Sequence, residues 1–303
     1  MPIRDIFLAL LIILAWGLNF VVIKMGVSDI PPLLLACLRF SLVAFPAILF
    51  FKRPQVPLKL LFGYALTLSF CQFAFLFISI KLGMPVGLAS LILQAQAFFT
   101  LVFSAVFLSE KIRPHHIFGM CLAAIGIVLL ANSHASVQTT IHFIPLLFIL
   151  AAAVAWAFGN IFNKMIVQRY PVNIMSLVVW SALIPILPFL LSSWLFEGSD
   201  AIGYALTHLH VRSIFAVCYL AFIATILGYG LWGYLLSRYE AGRIAPLTLL
   251  VPVVGMVSAA IFANEHLTHA QIIATLVIIL GLIINVFGLH IWQKIKKPIH
   301  LKP

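Results

Sequence analysis

Apolar runs of about 20 residues recur from one end of the chain to the other, separated by short polar stretches. None shows the roughly ten-residue apolar–polar alternation of an outer-membrane barrel strand. Short loops between long apolar runs favour helical hairpins. The pattern predicts ten spans, near residues 5–26, 32–51, 59–80, 85–108, 115–132, 143–165, 174–196, 213–236, 244–263 and 270–291. The expected fold class is an all-α polytopic membrane protein. The first run follows a single Arg4 and has no small-residue cleavage site after a short apolar core, so it reads as a span and not as a signal peptide.

Composition agrees: 64% of the 303 residues are hydrophobic and 8% are charged. A water-soluble globule carries about 25% charged residues. The net charge of +11 raises the question of nucleic acid, but the placement of the basic residues answers it. With the N-terminus in the cytoplasm, fourteen of the eighteen Lys and Arg residues fall in cytoplasmic regions, three (Lys24, Lys81, Arg212) outside, and Arg39 within a span. The reversed topology would invert that ratio, so both termini are expected in the cytoplasm and no nucleic-acid partner is expected. The four cysteines (Cys37, Cys71, Cys121, Cys218) lie in apolar runs without metal-ligand spacing and read as reduced thiols.

The chain also repeats itself. Ala15-Trp16, Lys24-Met25 and Pro31 return as Ala155-Trp156, Lys164-Met165 and Pro171, at an offset of 140. Further along, Gly87, Phe107, Glu110 and Gly126 match Gly242, Phe262, Glu265 and Gly281, at an offset of 155. The difference assigns the second copy an insertion of 15 residues, best placed in the 197–212 loop. The halves are read as 1–135 and 140–303, joined by a polar linker. Five spans per half make the second copy cross the bilayer upside down. That arrangement places a substrate site between the halves, near the midplane.

Arg39 is the strongest candidate for such a site. It lies about 12 Å into its span at 1.5 Å per residue, where an arginine faces the bundle interior or a watery cavity. Its planar fork suits a carboxylate, and a structural tie to carbonyls or an amide is the alternative. Gln94 and Gln96 share one span but diverge by about 200° on a helix. They cannot face one cavity without local unwinding, so one is expected to contact substrate and the other to tie two helices. Trp16 with Asn19, and Trp156 with Asn160 and Asn163, are candidates for a pocket floor or for crowded packing. Gln72, Trp180, Tyr229 and Trp232 are weaker candidates of the same kind. Pro185, Pro188, Pro246 and Pro252 predict kinks. Lys24 and Lys164 are expected to snorkel to headgroups, and Glu110 and Glu265 to cap neighbouring helix N-termini.

The seven acids and ten histidines all fall in loops or at span ends, so no mid-membrane proton relay is expected. No Walker, HExxH or GxSxG motif is present, nor a metal-spaced Cys/His cluster, and no enzyme activity, metal or cofactor is expected.

The segments AWGLNFVVIK (15–24), PPLLLACLRF (31–40), GMPVGLASLILQAQAFFT (83–100), AWAFGNIFNKM (155–165), MSLVVWSALIPILPF (175–189), ATILGYGLWGYLLSRYE (224–240) and RIAPLTLLVPVVGM (243–256) resemble the drug/metabolite transporter superfamily in its EamA-type branch. The likeness covers nearly everything from Ile6 to His290. It implies ten spans in two inverted five-span repeats, residence in a bacterial inner membrane, and export of small amino-acid metabolites of the cysteine and O-acetylserine type by alternating access. Export of other amino acids or drugs, or a non-transporting sensor or scaffold, are the alternatives. The expected partners are the lipid bilayer and an amino-acid-like small molecule. The sequence does not fix an oligomeric state.

Overall fold

The computed structural model describes residues 2–109, 112–131, 142–239, 247–248, 250–265 and 268–296. Every regular element among them is helical. Water-free hydrocarbon leaves backbone N–H and C=O groups only each other to bond, which a helix satisfies within one segment. Seven helices are long and apolar enough to cross a membrane. They are α1 (Ile3–Asp29), α2 (Pro32–Ala44, continued by a turn at Ala47–Leu49), α3 (Leu58–Lys81), α4 (Val86–Leu108), α6 (Phe143–Arg169), α7 (Ile174–Phe196) and α9. The last is built from Val211–Cys218, Tyr219–Leu227 and Gly228–Arg238. Three further apolar helices are α5 (Pro114–Ala131), α10 (Leu250–Phe262) and α11 (His269–Lys296). Proline opens several of them: Pro31, Pro57 and Pro85 stand immediately before α2, α3 and α4. There its missing N–H costs nothing and its fixed φ suits the first turn.

The 197–212 stretch differs from a plain loop, because it folds as a short helix, α8 (Ser199–Thr207). Pro185 interrupts α7 between Leu183 and Ile186, as a proline inside a helix should. Pro252 sits inside α10, and Pro246 lies outside the described residues.

The packing runs in matched pairs. Helix α1 lies against α9 and α10, and α6 lies against α3 and α4. Helix α2 packs on α7, and α5 on α11. The α5–α11 contact depends on missing side chains: a Cβ at Gly119 would stand 2.7 Å from the Gly281 carbonyl oxygen, and one at Gly281 would stand 2.7 Å from that of Gly119. Small residues admit such close backbone approach between membrane helices, where lipid offers no hydrophobic drive for association.

Two carboxylates close one end of the bundle. Glu197, ending α7, accepts hydrogen bonds from the Leu33 and Leu34 amides (2.7 and 3.2 Å), the free N–H groups that open α2. Glu265, after α10, accepts from the Val86 and Gly87 amides that open α4 (3.0 and 3.1 Å). Each places negative charge at the positive end of a helix dipole. The expected capping role of Glu265 is therefore present, while Glu110 lies outside the described residues. Lys24 does not simply snorkel: its ammonium pairs with Glu265 at 2.9 Å. Asp29 accepts from Ser213 (2.9 Å), and Lys81 donates to the Val27 carbonyl (2.6 Å). At the opposite end, Tyr239 donates to Asp5, and Asn173 caps α7 through the Met175 and Ser176 amides.

Candidate functional site

Arg39 comes from the middle of α2 and is 2% exposed. Thr225 of α9 meets it: the threonine oxygen accepts from Nε at 3.3 Å and from Nη2 at 2.8 Å. The same hydroxyl donates to the Leu220 carbonyl at 2.8 Å, five residues back. That spacing exists because α9 is π-helical over Tyr219–Leu227, the kind of bulge that often marks functional sites. The guanidinium carbon lies 4.0 Å from the centre of the Phe73 ring, whose negative face attracts it. Nη1 is buried and has no partner. Thr225 thus occupies the Nε–Nη2 edge and leaves the Nη1–Nη2 edge of the fork free. No carboxylate among the described residues meets Arg39.

A void of about 20 Å³ adjoins the arginine. Its polar lining is Arg39, Tyr64, Ser69, Ser181, Thr225 and Tyr229. Helices α2, α3, α7 and α9 contribute these groups, so the void lies between the two sequence halves. Room for one water needs roughly 10–15 Å³, so the void has space for a water molecule and none for an amino acid.

Two of the candidates read from the sequence, Arg39 and Tyr229, line this void. Trp16 stands behind Tyr229, with ring centroids 5.5 Å apart, and donates its indole N–H to the Ala224 carbonyl at 2.9 Å. Asn19 and Gln72 are buried with unpartnered side-chain oxygens, and neither borders the void. Gln94 donates to the Thr248 carbonyl at 3.3 Å. Gln96 accepts from Asn160 at 2.7 Å and from Thr100 at 3.3 Å. A short 3-10 turn at Leu93–Ala95 contains Gln94, and Gln96 opens the helical stretch that follows; Gln94 ties α4 to the segment before α10, and Gln96 ties it to α6. Trp180 donates to the Phe51 carbonyl at 2.8 Å, which is likewise a tie. Trp156 packs among core residues, and Asn163 is half-buried away from the void.

Sequence reasoning missed Tyr64, Ser69, Ser181 and Thr225. A signal existed for Thr225: it is the only hydroxyl residue between Tyr219 and Tyr229. None marks Ser181.

Comparison with known proteins gives this arrangement its context. The model of the EamA-like transporter family matches residues 3–132 and again 143–287. The chain belongs to the EamA-like transporter family. A "Probable amino-acid metabolite efflux pump" of Salmonella typhimurium (strain LT2) is 57% identical over 289 residues, covering 95% of this chain and 96% of the relative. A protein of the same description from Escherichia coli (strain K12) is 52% identical and covers 97% and 98% of the two chains. A solved crystal structure with a TM-score of 0.66 and 20% identity covers 97% of this chain and 99% of its own, a likeness of fold alone. The chain is therefore a multi-pass transporter of the bacterial inner membrane.

Proposed function

We propose that this chain exports small amino-acid-derived carboxylates, of the cysteine and O-acetylserine type, out of the cytoplasm of a bacterium. One observation carries the reading: a buried guanidinium, held at one edge by Thr225, presents two donors at its other edge and meets no acid among the described residues. An unpaired buried charge is costly, and a carboxylate cargo removes that cost with a bidentate, charge-assisted contact. Cationic drugs do not suit such a site. The Salmonella and Escherichia relatives, described as probable amino-acid metabolite efflux pumps, point to the same cargo class.

Transport proceeds by alternating access. Residues 1–135 and 140–303 form two inverted five-helix repeats, giving ten spans with both termini in the cytoplasm. Several repeat-related pairs support this. The π-helical segments Ala65–Cys71 and Tyr219–Leu227 overlap at the offset of 155, the first falling within the second. The left-handed residues Ser109 (φ 55°) and Asn264 (φ 52°) coincide at the same offset. The matched packing of α1 and α6 agrees. The bundle end closed by Glu197 and Glu265 is then the periplasmic one.

Counterflow in proteoliposomes tests the proposal. External labelled L-cysteine or O-acetyl-L-serine is expected to accumulate against an unlabelled internal pool. No exchange with any amino-acid carboxylate would leave a sensor or scaffold as the better reading. The site makes a second, finer prediction. Thr225→Val removes the acceptor that orients the fork, so KM for export is expected to rise about tenfold, the effect of losing one charged hydrogen bond, with little change in maximal rate. Thr225→Ser restores it. Normal export by Thr225→Val with a defect in Thr225→Ser would mean that the methyl group, and not the hydroxyl, matters.

A further inference from the structure

A count of charge around the site narrows the cargo further, if Arg39 is the carboxylate site proposed above. The void has one positive group and no negative one among its lining residues. The described acids are all committed elsewhere or exposed. Asp5 bonds Tyr239, Asp29 bonds Ser213, and Glu197 and Glu265 cap α2 and α4, while Asp200 lies exposed on α8. Glu110 and Glu240 lie outside the described residues, and the sequence assigns them to a span end and a loop.

A zwitterion entering this site pairs its carboxylate with Arg39 but brings an ammonium that finds no acid. The loaded site then keeps a net charge of +1 away from water. Aromatic faces offer the ammonium partial compensation, yet the Phe73 face already carries the guanidinium at 4.0 Å. A cargo without a protonated amine leaves the loaded site neutral. We infer that the cargo favoured at this site is a net monoanion, an amino-acid derivative whose amine is acylated or absent, and that the inside-negative membrane potential drives its export.

The energetics need no further coupling. Moving one negative charge outward across 100 mV is worth a roughly 50-fold gradient. That matches a bundle whose described acids all sit at its ends, where a mid-membrane proton relay would need them inside.

Two isomers make the test, because N-acetyl-L-serine and O-acetyl-L-serine contain the same atoms and differ in net charge. Purified full-length protein in liposomes is loaded with either, at a mildly acidic pH that keeps the acyl group on oxygen. Efflux is measured with and without a potassium diffusion potential, negative on the cargo side. The expected result is N-acetyl-L-serine efflux at least as fast as that of the O-acetyl isomer. The potential is expected to speed it several-fold and to leave the zwitterion unaffected. Efflux of O-acetyl-L-serine alone would overturn the inference and leave the export reading standing. N-acetyl-L-serine efflux that ignores the potential would overturn the electrogenic step. If neither isomer moves while L-cysteine still exchanges, this inference falls and the export reading stands; if L-cysteine is also still, both fall.

Discussion

Arg39→Leu is expected to abolish export while leaving the folded protein as stable as before, or more so. The two halves of that expectation have one cause. The guanidinium is buried beside Thr225 and Phe73, and Nη1 finds no partner. A structural arginine would be fully bonded, and its loss would destabilise the bundle. Replacing an incompletely paired buried charge by an apolar side chain is often neutral or stabilising. Binding loses both arms of the carboxylate contact, each worth about 1.5–3 kcal/mol for a charged acceptor, so the combined loss is on the order of 100-fold or more. Arg39→Lys keeps the charge without the planar fork and is expected to recover little. Export by inverted vesicles, read beside the melting temperature in detergent, checks both halves. Normal export by Arg39→Leu would sink the site, and a large loss of melting temperature would turn Arg39 into a structural tie.

How much of this was legible beforehand depended on cost. Polar residues in hydrocarbon are expensive, so the few present could be read directly: Arg39 by its depth, and Glu265 by its position after an apolar run beside helix N-termini. The rotation of each helix could not be read. A membrane helix is apolar towards lipid and towards its neighbours alike, so hydrophobic periodicity does not mark the inward face. That is why Tyr64 and Ser181 stayed hidden, and why Gln94 and Gln96, expected to divide the work of binding and tying, turned out to bond other helices. Local geometry was hidden too. Neither π-helical segment has a proline or glycine within it to announce it. The Thr225–Leu220 bond, which sets the pose of the arginine fork, exists only because one of those segments lengthens the turn. Lys24 was misread because its partner lies 241 residues away in the chain.

That partner carries the other large prediction. Glu265 joins three elements: it holds Lys24 of α1 at 2.9 Å and caps the first amides of α4 at 3.0 and 3.1 Å, from its own place after α10. A carrier that opens at this end must break those contacts. Glu265→Ala breaks them in advance. The lost cap alone is worth about 0.5–2 kcal/mol, and about 1.4 kcal/mol shifts a two-state balance tenfold. Met84, 2% exposed and just before α4, reports the opening. With the four native cysteines replaced, Met84→Cys is expected to react with a membrane-impermeant maleimide roughly tenfold faster when Glu265→Ala is also present. Lys24→Met is expected to have a smaller effect, because the amide contacts remain. Unchanged labelling would mean that this end is held by something else. The repeat gives the prediction a mirror. Offsets of 140 and 155 relate Lys24 and Glu265 to Lys164 and Glu110 in the opposite half. Glu110→Ala is therefore expected to leave Met84→Cys protected, because a loosened cytoplasmic end favours the state in which the periplasmic end stays shut. Faster labelling in that variant would break the symmetry on which alternating access is argued.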